Sequence, residues 1–275
     1  MNIKRIAIIG TGSMGSAILS GLLKSGFNPD NVSVSTKSTA SAERLADELG
    51  VLSFAMENGE DANQMAVAGA DVVVIAVKPA YVIETLSDIA DSLDDDALVI
   101  SVAAGITTKA MEKTLPDDVA VVRAMPNTPA IVGSAVTGIS AGSRADKDAI
   151  ETAVQLFKTV GTSIVLDEAK IDALSTISGS GPAYVFYLIE QLTAVAKKMG
   201  FSDNEAAQLV NETFLGSAQL LIESGRSPQE LRKQVTSPNG TTEKAIAVMS
   251  EANLEKMFTE ATAAALARAK ELAGE

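Results

Sequence analysis

Apolar residues along this chain fall into short, nearly unbroken runs up to about residue 166 and into long helical-period patterns after Asp167. The runs cover Ile3–Ile9, Val32–Thr36, Asp71–Val77, Ala97–Val102, Val119–Ala124, Val136–Ser140 and Ser163–Leu166, with helix-compatible stretches between them. A run such as Val72-Val73-Val74-Ile75-Ala76-Val77 has no polar face, as expected of a parallel strand covered by helices on both sides. Residues 1–166 are therefore predicted to form a doubly wound α/β sheet. Beyond Asp167 the helical patterns cover Pro182–Met199, Asp203–Ser224, Thr241–Ser250 and Asn253–Ala273, with Gly200, Gly225 and Gly240 at the breaks. The last pattern places Leu254, Met257, Phe258, Ala261, Ala265 and Leu272 on one stripe. Residues 167–275 are read as an all-α domain whose apolar faces complete their core against a second copy, so a homodimer through this domain is expected.

Composition narrows the chemistry. The 275 residues include neither cysteine nor histidine, which removes disulfide, thiolate and imidazole chemistry, and no metal site is expected. A net charge of -13 argues against nucleic acid or an anionic membrane as partner. Apolar stretches such as Ala183–Ile189 are too short to cross a bilayer, and no secretory signal precedes the first strand. A cytoplasmic protein is expected.

The first run ends in Ile9-Gly10-Thr11-Gly12-Ser13-Met14-Gly15 and continues into a helix-compatible segment reaching Lys24. Gly10 permits a tight turn, Gly12 lets the backbone approach a pyrophosphate, and Gly15 lets helix and strand pack closely. Amides at the start of the helix then face the phosphates. This layout marks residues 1–166 as a Rossmann-type dinucleotide-binding domain. NAD-binding domains of this type carry an acid at the end of the second strand to hold the ribose. The chain has Val34-Ser35-Thr36-Lys37-Ser38 there, hydroxyls and a cation suited to a 2′-phosphate, which favours NADPH over NADH. A solvated turn without cofactor role is the plainer alternative. Ala76-Val77-Lys78-Pro79 and Val102-Ala103-Ala104-Gly105 also end predicted strands, at the edge where such sheets meet ligands. Lys78 can meet a phosphate or ribose or simply be a solvated lysine after a strand, and the small residues after Val102 leave room for a ring or reflect crowding of strand and helix.

In the second half, Val235-Thr236-Ser237-Pro238-Asn239-Gly240-Thr241-Thr242 sets a tight turn directly before a helix. Amides around Gly240–Thr242 can bind a carboxylate there, with hydroxyls from Ser237 and Thr242. On this segment alone, a helix merely capped by Thr241 or Thr242 is the simpler reading. Ser178-Gly179-Ser180-Gly181-Pro182-Ala183-Tyr184 likewise feeds a helix.

Together, Gly10–Gly15, Ala76–Pro79, Arg123-Ala124-Met125-Pro126-Asn127-Thr128-Pro129, Ser178–Tyr184 and Val235–Thr242 resemble, end to end, the motifs of the pyrroline-5-carboxylate reductases. Asn239 departs from a position where that family often has glycine. The resemblance implies an oxidoreductase of proline biosynthesis, in which NADPH, or less efficiently NADH, delivers hydride to the C=N carbon of 1-pyrroline-5-carboxylate and gives L-proline. A protonated imine is already electrophilic, so the site mainly orients it and needs no histidine. By the same resemblance Thr242 is the catalytic residue, hydrogen-bonded to the ring nitrogen, while Ser237, Gly240 and Thr241 hold the carboxylate. Glu168 corresponds to an acid near the substrate, although Glu168 and Asp172, one helical turn apart, also read as a solvated carboxylate pair. The implied cofactor-binding set is Ile9, Gly10, Thr11, Gly12, Ser13, Met14, Gly15, Thr36, Lys37, Asn63, Ala76, Val77, Lys78, Pro79, Val102, Ala103 and Ala104. The implied assembly is a homodimer through the helical domain that can extend to a decamer.

Two rival readings are weaker. β-Hydroxyacid dehydrogenases share the opening glycines but use a lysine on the first long interdomain helix, and here that helix has none before Lys197. A non-enzymatic NADP-binding sensor would have no use for the loop ending at Thr242.

Overall fold

Eight segments pair into one sheet in the computed structural model, which describes residues 3–273. They are β1 (Ile6–Ile9), β2 (Val32–Thr36), β3 (Leu52–Ala55), β4 (Val72–Ile75), β5 (Leu98–Ser101), β6 (Ala120–Met125), β7 (Ala135–Ala141) and β8 (Gly161–Val165). The order across the sheet is β3-β2-β1-β4-β5-β6-β7-β8, with parallel pairing from β3 through β6. β1, β2, β4 and β5 are buried along their whole length because helices cover both faces. Alternate residues feed opposite cores. Ile6 and Ile8 pack under the helix Ser13–Lys24, whereas Ala7 and Ile9 pack under the helices Ala62–Val67 and Val82–Ile89. The chain builds outward from β1 to β3 and then returns to β4 on the other side of β1. That reversal opens a crevice at the carboxyl ends of β1 and β4.

Three features differ from the pattern-based reading. β7 runs antiparallel to β6, Val122 facing Ala141, because the connection over 126–134 is too short for a parallel crossover. β3 was not anticipated, since Leu52-Ser53-Phe54-Ala55 is a four-residue edge strand, too short and too exposed to stand out as a run. The helix Pro228–Gln234 was also missed: Pro-Gln-Glu-Leu-Arg-Lys-Gln has no apolar periodicity, although Ser227 and Glu230 form a capping box around it.

Contacts divide the chain after Ser180, and Gly181–Ala265 form a unit of their own. That unit contains the helices Gly181–Lys198, Asp203–Ser224, Pro228–Gln234 and Thr241–Glu251, and the beginning of Leu254–Ala273. Gly225 ends the second of these in a left-handed conformation, φ 62°, which glycine adopts without steric penalty. In these first four helices, Ala206 and Val210 are the only buried positions among the described residues. Phe186, Tyr187, Leu192, Leu215, Ile222, Met257 and Phe258 remain exposed, so one chain does not bury the apolar faces of its own helices. The side chain of Leu272, on the predicted stripe, lies outside the described residues. Among the described residues no helix is long and apolar enough to cross a membrane.

Candidate functional site

The glycine turn has the geometry that its spacing requires. Gly10 leaves β1 at φ 91°, and its N–H donates to the Ser35 carbonyl at 3.1 Å. A Cβ on Gly10 would lie 3.0 Å from the Ala76 backbone, and one on Gly15 would run into the Gly10 carbonyl oxygen. A Cβ on Gly12 would meet nothing within 4 Å. The fold thus demands glycine at positions 10 and 15 and leaves open space at position 12. Gly12 is also the N-cap of Ser13–Lys24 and provides no capping side chain, which leaves the first-turn amides for an anion. This cradle fits a dinucleotide pyrophosphate.

Neighbouring strand ends supply the rest of the crevice. Ile9 is buried, the Thr11 carbonyl accepts the Ser16 hydroxyl at 2.8 Å, Ser13 is exposed and Met14 packs on the core. Past β4, the Ala76 N–H donates to the Ile9 carbonyl at 2.8 Å; Ala76 and Val77 are half-buried, while Lys78 and Pro79 are exposed. Past β5, the Val102 N–H donates to Ile75, Ala103 is buried and Ala104 is exposed. These three segments share the carboxyl edge of the sheet. At the end of β2 the Thr36 hydroxyl donates to the Ser38 carbonyl at 2.8 Å, and Lys37 is exposed. Asn63 is buried, with its Oδ1 accepting the Ser35 hydroxyl at 2.7 Å and its Nδ2 donating to Asp88 at 3.0 Å. The loop after β3 also reaches this place: the Thr39 N–H donates to Glu57 at 3.0 Å. An acid therefore stands beside a loop that contains none, brought there by the β2–β3 pairing.

Glu168 and Asp172 are not a solvated pair. Glu168 accepts from the Thr108 N–H and hydroxyl, both at 2.7 Å, and lies 3.7 Å from Arg123 Nη1. Asp172 accepts from Arg123 Nη2 at 2.6 Å. Arg123 is buried, and its Nε has no hydrogen-bond partner. Sequence reasoning gave Arg123 no role, although a cation inside the run Val121-Val122-Arg123-Ala124 was the available signal. A few residues on, Asn127 donates to the Ser178 carbonyl and accepts from the Val136 N–H, each at 2.9 Å. Two segments singled out in the sequence are thereby tied together.

The loop before Thr242 forms within the helical unit. The Gly240 N–H closes a turn on the Ser237 carbonyl at 3.0 Å, with Asn239 at φ 57° and its N–H donating to Glu243 at 3.0 Å. Asparagine tolerates this left-handed position, as glycine would. The N-cap of Thr241–Glu251 is Gly240, without a capping side chain. Thr241 and Thr242 lie inside the helix and do not cap it. The simpler reading of a threonine-capped helix is thus replaced by a helix that begins without a side-chain cap. Thr242 is half-buried, and Ser237 and Thr241 are exposed. Amides, hydroxyls and the positive helix end together can hold a carboxylate.

Residues 168–272 match the family model described as pyrroline-5-carboxylate reductase dimerisation, and residues 5–105 match NADP oxidoreductase coenzyme F420-dependent. A pyrroline-5-carboxylate reductase of Pseudomonas aeruginosa is 39% identical over 99% of this chain and 98% of its own length. The structure of a pyrroline-5-carboxylate reductase from Coxiella burnetii superimposes with a TM-score of 0.92 at 38% identity, covering 98% of this chain and 99% of that one. A pyrroline carboxylate reductase of Plasmodium falciparum, solved with NADP bound, gives 0.84 at 25% identity over 99% and 98% of the two chains.

Proposed function

The chain belongs to the pyrroline-5-carboxylate reductase family, and from that premise we propose that it reduces 1-pyrroline-5-carboxylate to L-proline with NADPH as the preferred donor. The observation that carries the substrate half is the Gly240 cap, which leaves the amides of Thr241 and Thr242 free to receive a carboxylate. Ser237 adds a hydroxyl to the same anion. The Thr242 hydroxyl hydrogen-bonds the ring nitrogen; an ordinary threonine is too weak an acid to protonate the imine, so its task is to orient the C=N bond. Glu168, held on Thr108 and beside Arg123, is assigned to the substrate by the family resemblance alone.

The first domain, residues 1–166 in this reading, holds the dinucleotide. The amides of the helix Ser13–Lys24 take the pyrophosphate, Lys37 takes the 2′-phosphate, buried Thr36 steadies that loop through its bond to the Ser38 carbonyl, and Lys78 meets phosphate or ribose. Asn63 supports the adenosine side from beneath through Ser35. Ala76, Val77 and Val102–Ala104 line the approach of the ring. Bound there, NADPH supplies the hydride for the imine carbon. The second domain, residues 167–275, pairs with its counterpart in a homodimer, which covers the apolar helix faces that one chain leaves exposed. A chain without cysteine suits a reducing cytoplasm, where we place it.

The test is direct. Purified protein, NADPH and 1-pyrroline-5-carboxylate should yield proline in step with NADPH oxidation. Turnover of a hydroxy acid without proline formation would overturn the reading.

A further inference from the structure

Glu57 occupies the amide that opens the helix after β2. The Thr39 N–H donates to Glu57 Oε2 at 3.0 Å, and the Thr39 hydroxyl donates to Asn58 Oδ1 at 2.6 Å. Backbone bonds fix this approach. The Met56 N–H donates to the Thr36 carbonyl at 3.0 Å and the Glu57 N–H to the Lys37 carbonyl at 3.3 Å, which extends the β2–β3 ladder beyond Ala55. The carboxylate is therefore carried by the sheet edge to the helix Thr39–Leu49, whose N-cap Ser38 already serves the Ser41 N–H.

In a sheet of this type the ribose bound at the crevice lies against the carboxyl end of β2. A 2′-phosphate placed there is attracted by Lys37 and by the helix end, and repelled by Glu57. NADH lacks the phosphate and meets no such repulsion. We infer that Glu57 is a specificity-determining residue that restrains NADPH binding relative to NADH, so that the chain's preference for NADPH is smaller than Ser35–Ser38 alone would set. The inference rests on the proposed cofactor crevice.

Glu57→Gln separates the charge from the geometry, because a glutamine oxygen can still accept the Thr39 N–H. Dissociation constants for NADPH and NADH are measured by fluorescence titration on the full-length protein, without turnover. NADPH should bind roughly tenfold more tightly to the variant, with NADH changed by no more than about twofold. Glu57→Lys should move the NADPH constant further in the same direction. An unchanged ratio, a parallel shift of both constants, or a loss confined to NADH would overturn the inference while leaving the crevice intact. Failure of the unaltered protein to bind either nucleotide would overturn the crevice itself, and the inference with it.

Discussion

Arg123 Nη2 lies 2.6 Å from the Asp172 carboxylate, with only 2% of the arginine side chain exposed. The strand β6 thereby holds the segment that follows β8, and Glu168 on the same segment reaches back to Thr108. Removing the cation leaves two carboxylates facing each other in a partly desolvated place. Arg123→Met should lower unfolding stability by about 3 kcal/mol, measured by urea denaturation. A loss under about 1 kcal/mol would mean that water already screens the pair.

Gly12 and Gly15 should separate fold from ligand. Gly15→Ala drives a Cβ into the Gly10 carbonyl and should lower the melting temperature as well as nucleotide affinity. Gly12→Ala has open space around it and should change stability by about 1 kcal/mol or less. It should nevertheless weaken NADPH binding, read by titration, because the added methyl stands where the pyrophosphate approaches. Equal nucleotide affinity in Gly12→Ala and the unaltered protein would place the pyrophosphate elsewhere.

Asn239 sits at φ 57° in the turn closed by Ser237 and Gly240. Asn239→Gly should keep both stability and KM for the imine, since glycine takes this conformation freely. Asn239→Val should raise KM several-fold, as a β-branched residue resists it. Normal kinetics in the valine variant would show that the turn does not shape the substrate loop.

Two exposed helix starts should respond to acid. The Ser202 and Ser227 hydroxyls, followed by their backbone N–H groups, hold the carboxyls of Glu205 and Glu230 below the ordinary value of 4.5. A depressed folded value means stabilisation that is present above about pH 4.5 and lost as pH falls through the folded value. Protection factors at residues 228–234, the measured exchange rates corrected for the intrinsic rate at each pH, should therefore fall on acidification, and Ser227→Ala, which keeps only the backbone N–H donor, should weaken that dependence. Persistence of the same acid response in the variant would contradict the capping assignment.

Where a signal was local, the sequence carried it. β2 and the helix Asp203–Ser224 begin and end at the predicted residues, the first because β-branched Val32, Val34 and Thr36 alternate through it, the second because Ser202 and Gly225 cap it. The glycine turn was legible for the same reason, since Gly15 answers to Gly10, and both answer to Ala76 just past β4. Arg123 was not, because its partners lie 45 and 49 positions away. Glu57 was hidden in the same way: only the register of β3 on β2 brings it to Thr39. The acid-free loop after β2 was a correct reading of the loop and an incomplete one of its surroundings.

Thr242, proposed as a substrate contact and not a cofactor contact, sits in a helix start without a capping side chain. The decisive measurement is the Thr242→Ala variant, with kcat for proline formation and the NADPH dissociation constant determined on the same preparation. The prediction is a fall in kcat of roughly tenfold or more, as for loss of one orienting hydrogen bond at the reacting centre, with NADPH affinity unchanged. Unchanged turnover, or equal losses in turnover and NADPH affinity, would contradict it.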